Sequence, residues 1–133
     1  MMSFSGPIED QLAIRSLHDS YVDAVFRRDP HDWGANWAID GRWHLMGTTV
    51  EGRDAIVGMW NAAMAGFVFV SFFCQPASIE VNGDTATGRT FTHEVLEMPD
   101  GEIRRPVGRY DDIFVKAGGR WLYQERVYSM LKG

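Results

Sequence analysis

The second half of the chain alternates long strand-like runs with tight turns, and this pattern restricts the folds open to it. The turns are marked by Asn82-Gly83-Asp84, Pro99-Asp100-Gly101 and Gly118-Gly119. The runs are residues 68–74, 77–81, 85–96, 103–115 and 120–130. Asparagine-glycine between alternating segments is a strong hairpin signal. This half is therefore predicted to form a meander of antiparallel strands, and the nearly all-apolar run 68–74 is expected to be buried on both faces.

The first half reads mainly as helices. Apolar side chains recur at helical spacing over residues 8–29, with charged side chains mostly on the other side. Asp29-Pro30 should end this helix, because the residue before a proline is pushed out of the α region. The predicted elements that follow are a helix at 31–38, a turn at Asp40-Gly41, a strand at 42–47 and a helix at 53–65. Helices followed by a strand meander predict an α+β fold, with the helices on one face of a curved sheet.

Composition narrows the class of protein. The 133 residues are enough for one domain, 1–133, and too few for two. A net charge of −5 argues against nucleic acid or an anionic membrane as a partner, since both need a basic patch. Cys74 is the only cysteine, so no internal disulfide is possible. The start of the chain does not resemble a signal peptide, and the apolar run 62–74 is too short to cross a bilayer, so a cytoplasmic location is expected.

Several short sequence motifs follow one another in a fixed order along nearly the whole chain. The first comprises Ile14, Tyr21, Asp32-Trp33 and Trp37-Ala38-Ile39-Asp40-Gly41-Arg42-Trp43. The others are Val50-Glu51-Gly52-Arg53-Asp54-Ala55-Ile56, Val81-Asn82-Gly83-Asp84-Thr85-Ala86, and Gly108-Arg109-Tyr110-Asp111-Asp112 with Gly119-Arg120-Trp121. In this order they resemble the SnoaL-like branch of the nuclear-transport-factor-2-like superfamily. The resemblance implies a cystatin-like, cone-shaped α+β barrel in which about three N-terminal helices pack on a curved, mostly antiparallel sheet. It also implies a deep apolar cavity between the first helix and the sheet.

The resemblance does not identify a reaction. The family includes scytalone dehydratase, polyketide cyclases, ketosteroid isomerase-like enzymes, a dehydrochlorinase and the small subunit of ring-hydroxylating dioxygenases, so function has to be argued from the site. Dehydratase-type members pair an aspartate late on the first helix with a histidine on the strand after the third helix. By ungapped alignment, Phe26 stands in the place of the aspartate and Ser71 in that of the histidine. This departure argues against a dehydratase or dehydrochlorinase of the known kind.

Tyr21 and Arg126 are the first candidates for catalytic residues. Tyr21 lies on the apolar stripe of the first helix, where ketosteroid isomerase-like relatives carry a tyrosine that donates to a developing oxyanion; the alternative is a core tyrosine. Arg126 matches a cavity arginine of dehydrochlorinase-type relatives. Strand alternation places Arg126 on one face with Leu122, Gln124 and Tyr128. Two interpretations remain open for Arg126, contact with a ligand or a structural ion pair with Asp112.

Candidates for moving a proton are an acid and two strand histidines. Asp112 shares a strand face with Tyr110, and in an apolar site its pKa would be raised. His93 and His44 can titrate near neutrality. Alternation points both histidines away from the cavity, if Thr90, Thr92, Trp43 and Leu45 face into it. Three glutamates are expected to be surface or interface charges, namely Glu94, Glu97 and Glu125.

A further set of residues is predicted to contact a ligand. These are His18, Phe26, Trp43, Leu45, Trp60, Ser71, Thr90 and Tyr110. No metal is predicted, because the four histidines lack the close spacing of ligands on one element. No cofactor is predicted either, since the sequence contains no glycine-rich phosphate loop and no nucleophile elbow.

These observations favour a protein that binds a small hydrophobic cyclic or aromatic molecule, with proton-transfer chemistry of the lyase, isomerase or polyketide cyclase type if it is an enzyme. One alternative is a non-catalytic ligand-binding module. Another is a small subunit of a larger assembly, as in the ring-hydroxylating dioxygenases. An acid or histidine in the cavity near Tyr21 would favour an enzyme, and a cavity lined only by Phe, Trp and Met would favour binding. A homodimer is expected in each case.

Overall fold

A computed structural model of the chain describes residues 3–133. Within these residues, three helices lie against one face of a curved sheet of eight strands. The elements in chain order are β1 Phe4–Ser5, α1 Ile8–Arg27, α2 Pro30–Gly34, β2 Trp37–Leu45, β3 Thr48–Glu51, α3 Arg53–Ala65, β4 Phe69–Asn82, β5 Thr85–Glu97, β6 Ile103–Arg104, β7 Val107–Ala117 and β8 Arg120–Lys132. The predicted α+β class, with helices on one face of a curved, mostly antiparallel sheet, is confirmed.

The sheet follows the order β1-β4-β5-β7-β8-β2-β3, and β6 pairs with β5. The four longest strands, β4, β5, β7 and β8, are antiparallel neighbours, so the predicted meander is correct. Its tight turns use glycines in the left-handed region, where other residues are strained. Gly83 has a φ of 66° and Gly118 a φ of 57°. Two pairings are parallel, β1 with β4 and β2 with β8.

The first helix ends close to where the proline signal placed it. α1 stops at Arg27, Arg28 takes a left-handed conformation with a φ of 52°, and Asp29 begins the next helix. The side chain of Asp29 accepts a hydrogen bond from the backbone N–H of Asp32 at 3.0 Å, and Pro30 occupies the first helical turn. This is a capped N-terminus with proline at a position that needs no hydrogen-bond donor.

The second helix is shorter than predicted, and the predicted turn at Asp40-Gly41 is wrong. Residues 37–41 already belong to β2, where Trp37 pairs with Tyr123 of β8. The pairing register shifts between Trp37 and Arg42, around Gly41, and such an irregularity bends a strand locally. A Cβ on Gly41 would lie 3.1 Å from both the Ala38 carbonyl oxygen and the Trp37 ring, so glycine permits this bend. The turn lies instead at residues 46–47, followed by β3, which the sequence did not predict.

The segment after the third helix is one long strand and not two. β4 runs through the predicted break, with a register shift between Pro76 and Ser78. The expectation that its start is buried on both faces is wrong. Phe69 and Phe73 are 49% and 60% exposed, whereas Val70 and Phe72 are buried. The helices cover only one face of the sheet, so the strand alternates. The run predicted at 103–115 is likewise divided, into β6 and β7.

Aromatic side chains fill the space between the helices and the concave face of the sheet. The Trp33 and Trp60 rings stack at 4.6 Å, and the Tyr21 ring lies 5.2 Å from that of Phe72 and 5.6 Å from that of Tyr123. This packing leaves the cavity described below at one end of the cone. No helix within residues 3–133 has both the length and the apolar character needed for a bilayer crossing.

Candidate functional site

A cavity of about 230 Å³ opens between α1, α3 and the concave face of the sheet. Its aromatic walls are formed by Tyr21, Trp43, Trp60, Phe72, Tyr110 and Tyr128. Methionines contribute to the remainder of the lining at positions 46, 64 and 130. An apolar cavity of roughly 150 Å³ is enough to hold benzene. The space therefore suits a small ring compound, and methionines allow its walls to adapt to shape.

Glu94 of β5 places a carboxyl group in this apolar cavity. Within residues 3–133, its side chain has no hydrogen-bond or ion-pair partner. Burial raises its pKa from the ordinary value of 4.5 to about 7. Such a carboxyl group changes its charge near neutral pH, which is the property required of a general base.

The expectation that Glu94 is a surface charge is wrong. Thr90 and Thr92 are buried on the same strand, and alternation along the strand brings Glu94 to their side of the sheet. The signal was present in the sequence, because the alternation that turned His93 outward also turns Glu94 inward. His93 is indeed exposed.

Three tyrosines line the cavity together with Glu94. Tyr21 comes from α1, Tyr110 from β7 and Tyr128 from β8. The indole N–H of Trp43 donates a hydrogen bond to the Tyr110 hydroxyl oxygen at 3.1 Å. Burial raises the pKa of Tyr21 and that of Tyr110 well above the ordinary value, although Arg126 opposes this rise. These phenols stay protonated at neutral pH and can donate hydrogen bonds to an oxygen atom of a ligand.

Arg126 lies behind this wall and forms the ion pair that was one of its two predicted roles. Its Nε lies 2.6 Å from Oδ1 of Asp112, and its Nη2 lies 3.2 Å from Oδ2. The guanidinium carbon lies 3.7 Å from the ring centre of Tyr110, 4.2 Å from that of Tyr123 and 4.9 Å from that of Tyr21. Neither Arg126 nor Asp112 lines the cavity. The structure thus shows a caged ion pair whose cation faces the back of the tyrosine wall.

A chain of buried hydrogen bonds holds Asp112 in place. The Tyr123 hydroxyl lies 2.6 Å from Nδ1 of His18, Nε2 of His18 lies 3.5 Å from the Thr90 hydroxyl, and that hydroxyl donates to Asp112 at 2.9 Å. Burial, and next the charge of Arg126, hold the pKa of His18 well below its usual range. A neutral His18 accepts from Tyr123 at Nδ1 and carries its proton on Nε2.

His18 and Thr90 were predicted to contact a ligand, and the structure does not place them in the cavity. Phe26, likewise predicted, is 41% exposed and packs against Phe73 at 5.4 Å. Ser71 is only partly buried and also lies outside the lining. Phe26 is outside the cavity because it lies on a different side of α1 from the apolar stripe that carries Tyr21. Ser71 lies between Val70 and Phe72, which line the cavity, so strand alternation turns its side chain to the other face of the sheet. Thr90 faces inward, but its hydroxyl donates to Asp112 outside the cavity lining.

His44 points to the opposite side of the sheet, as alternation indicated. Its Nε2 lies 2.9 Å from a carboxylate oxygen of Glu125, and its Nδ1 lies 2.9 Å from the Thr49 hydroxyl. His93 and His44, both proposed from the sequence as catalytic residues, are therefore outside the cavity. Five residues from the sequence prediction do form its wall, namely Tyr21, Trp43, Leu45, Trp60 and Tyr110. Their contact with a ligand remains a prediction.

A separate group of potential metal ligands lies at the start of α2. Ligand atoms of Asp29, His31 and Asp32 lie within 4.8 Å of one another. The guanidinium of Arg27 already pairs with Asp29 at 3.2 Å and with Asp32 at 3.0 Å. This exposed arrangement, in which Arg27 supplies the positive charge, is explained as the cap of a short helix.

Solved structures with the same fold come from proteins of diverse description. A Novosphingobium aromaticivorans protein provisionally named an aromatic ring hydroxylase is 24% identical, with a TM-score of 0.88 over 97% of this chain and 94% of its own. Rv3472 of Mycobacterium tuberculosis, of unknown function, is 23% identical, with a TM-score of 0.87 over 96% and 79%. The hexachlorocyclohexane dehydrochlorinase LinA-type3 of Novosphingobium barchaimii is 16% identical, with a TM-score of 0.84 over 94% and 88%.

At these identities, the similarity establishes the fold and not the chemistry. The fold is the cystatin-like fold, by which a similar structure from Nostoc punctiforme is described. No curated protein sequence matches the chain. The sequence profile of the SnoaL-like domain matches residues 7–127, which is nearly the whole chain. The protein therefore belongs to the SnoaL-like domain family.

Proposed function

We propose that the protein binds an uncharged, mostly hydrophobic ring compound in this cavity and catalyses proton transfer on it, as an isomerase, cyclase or lyase. The observation that carries the proposal is Glu94, whose carboxyl group lies in an apolar cavity and has no partner among residues 3–133. Its pKa of about 7 lets it accept a proton at neutral pH and release it again. Tuned carboxyl groups of this kind are concentrated at functional sites.

The surrounding groups suit the removal of a proton next to a carbonyl. Glu94 would take the proton from carbon, and the electron pair of that C–H bond would move onto the carbonyl oxygen as an enolate. The phenols of Tyr21 and Tyr110 would donate hydrogen bonds to this oxygen. Protonated Glu94 would then return the proton to a different carbon, which completes an isomerisation, or the enolate would expel a leaving group in an elimination.

Arg126 would act on this reaction from behind the tyrosines. Its guanidinium lies against the rings of Tyr110 and Tyr21, on the side away from the cavity. A positive charge there favours negative charge developing at the phenol hydroxyls, and low polarity strengthens the effect. Asp112 balances the charge and limits this effect, so Arg126 is assigned a positioning role and no direct contact with substrate.

Solvent exchange of an acidic C–H bond tests the proposal without knowledge of the natural substrate. The probe is 2-tetralone, a neutral two-ring ketone, in deuterated buffer at pH 8, with loss of its α-proton signals followed by NMR. We expect the protein to accelerate exchange and Glu94→Gln to lower the acceleration by about 100-fold, the lower range for a general base. Glu97→Gln is the matched control, because Glu97 is on the same strand but outside the cavity lining.

Equal exchange by the wild type and Glu94→Gln would refute the assignment of the base. Binding of 2-tetralone without any acceleration would instead favour the non-catalytic binding module, for which the apolar lining is the supporting observation. A cavity plugged by Phe26 and Trp43 would favour the third possibility, a small subunit of a larger assembly. The structure has an open cavity with Trp43 in its wall, and Phe26 lies outside.

A further inference from the structure

One wall of the cavity depends on a glycine. Tyr128 of β8 pairs directly with Tyr110 of β7, and its ring reaches diagonally over Gly108, two residues earlier on β7. A Cβ atom on Gly108 would lie 2.5 Å from the ring carbon Cζ of Tyr128, and closer still to Cε1 and the hydroxyl oxygen. Non-bonded carbon atoms optimally lie at about 3.5–4.0 Å. The ring can therefore occupy this place only while residue 108 lacks a side chain.

The direction in which the ring would be displaced follows from the sheet. Gly108 lies on the same face as Tyr110 and Asp112, by alternation along β7, so its Cβ would point to the concave side. The ring of Tyr110 lies 5.1 Å away and blocks movement along the strand. The sheet lies beneath the ring. The cavity, which Tyr128 already lines, offers space for this displacement.

We propose that Gly108 and Tyr128 together set the size limit of the ligand. With glycine at 108, the Tyr128 ring lies close over β7 and leaves a cavity of about 230 Å³. That is room for about two fused rings, by comparison with the benzene-sized cavity of roughly 150 Å³. Any side chain at 108 would lift the ring into this space, and removal of the ring would enlarge it. The inference rests on the ligand-binding half of the proposed function and not on its chemistry.

The test is binding of neutral probes of increasing size, phenol, 2-naphthol and 9-phenanthrol, by calorimetric titration. The wild type is expected to bind 2-naphthol and to bind 9-phenanthrol at least tenfold more weakly. Gly108→Ala should weaken 2-naphthol binding at least tenfold. Tyr128→Ala should bring 9-phenanthrol within threefold of 2-naphthol, and Gly108→Ala with Tyr128→Ala should recover 2-naphthol binding, because the added methyl group then has no ring to displace.

Two controls separate the size effect from general damage. Tyr128→Phe keeps the ring and should keep the wild-type size limit. Val127→Ala changes the adjacent residue, which is 37% exposed and outside the cavity lining, and should also leave the limit unchanged. If Gly108→Ala does not fold, the Tyr128→Ala variant and the double variant still decide the matter.

The proposal is overturned if Gly108→Ala binds 2-naphthol as the wild type does, or if Tyr128→Ala shows no gain for 9-phenanthrol. It is also overturned if the double variant does not recover 2-naphthol binding. None of these measurements involves turnover. Repeating them in Glu94→Gln should give the same size limits, so failure of the proposed base and failure of the proposed size limit give different results.

Discussion

At the level of single residues, Glu94 combines two properties that oppose each other. Its carboxyl group is largely buried, and within residues 3–133 it has no partner that would stabilise its charge. Ionisation in the folded state is therefore unfavourable, and the pKa rises from 4.5 to about 7. Between these two values, the folded protein binds more protons than the unfolded chain, so this group makes stability fall as pH rises. A shift of this size corresponds to about 3 kcal/mol.

Glu94→Gln is accordingly expected to stabilise the protein at pH 8, by about 1–3 kcal/mol, because the amide has no charge to desolvate. At pH 4.5, where the folded-state carboxyl group is already protonated, the gain should largely disappear. Urea unfolding of the wild type and the variant at pH 8 and at pH 4.5 measures the gain in stability at each pH. A variant that is equally stabilised, or destabilised, at both pH values would show that burial of this charge is not the cause.

The same titration predicts the pH dependence of catalysis. A general base acts in its deprotonated form, so 2-tetralone exchange should increase about tenfold per pH unit below 7 and level off above it. Rates are compared after subtraction of the buffer-catalysed exchange at each pH. A flat profile from pH 5 to 9, or an inflection that persists in Glu94→Gln, would assign the proton transfer to another group.

Arg126 and Asp112 form a pair in which each partner is needed because the other is buried. Asp112→Asn leaves a guanidinium without its counter-charge in the core and should cost about 3–5 kcal/mol in unfolding free energy. Arg126→Met combined with Asp112→Leu removes both charges and should be less destabilised than the sum of the single variants. Urea unfolding of the wild type, Arg126→Met, Asp112→Leu and the double variant forms a double-mutant cycle. Simple additivity would mean that the 2.6 Å contact carries no net interaction.

At the level of elements, local signals were sufficient where neighbouring strands are also neighbours in sequence. The hairpin at Gly83 and the helix end at Asp29-Pro30 were both recognisable, because turn chemistry and proline sterics act within a few residues. β1 and the start of β2 could not be recognised from the local sequence. β1 is defined by pairing with β4, and Trp37 by pairing with Tyr123, about 75 and 86 residues away in sequence. Such contacts leave no local pattern.

The site shows the same division. Tyr21 and Tyr110 were found because helical phase and strand alternation act locally. The same alternation turns Glu94 inward, although the general tendency of charged residues to be exposed favours the surface for it. The sequence did not separate the two interpretations of Arg126, since that depends on how deeply Tyr21, Tyr110 and Tyr123 enclose it. Whether an inward-facing charged residue pairs with another residue or meets a ligand depends on how the strands and helices are placed in three dimensions.

The cap of α2 gives a prediction at this scale. Asp29→Ala removes the side-chain acceptor for the backbone N–H of Asp32, and should cost about 1 kcal/mol. Asp23→Ala is a matched control, because Asp23 also pairs with Arg27, at 2.9 Å, but caps no helix. That exposed pair should contribute less than about 0.5 kcal/mol. Chemical unfolding of both variants checks this, and an equal loss in the two would mean that the cap contributes nothing beyond its charge.

At the level of the whole molecule, the charge distribution restricts what the cavity can accept. The chain has a net charge of −5. Within residues 3–133, the cavity lining contains no Lys, Arg or His, and its one carboxyl group is Glu94. The nearest buried cation, Arg126, is balanced by Asp112 and separated from the cavity by tyrosine rings. A ligand with a carboxylate would enter without a counter-charge and would meet Glu94, which is costly in a site of low polarity.

Two probes of equal size separate charge from shape. At pH 8, 2-naphthol is expected to bind and 2-naphthoate to bind at least about 30-fold more weakly, since an unpaired buried charge costs several kcal/mol. Glu94→Gln should narrow this gap about tenfold, because it removes like-charge repulsion but leaves the cost of desolvating the ligand. Lowering the pH to 6 in the wild type should act in the same direction, as Glu94 takes up its proton near pH 7. If naphthoate binds as tightly as naphthol at pH 8, a cation must reach the cavity, and the separation of Arg126 from it by the tyrosine rings does not hold in solution.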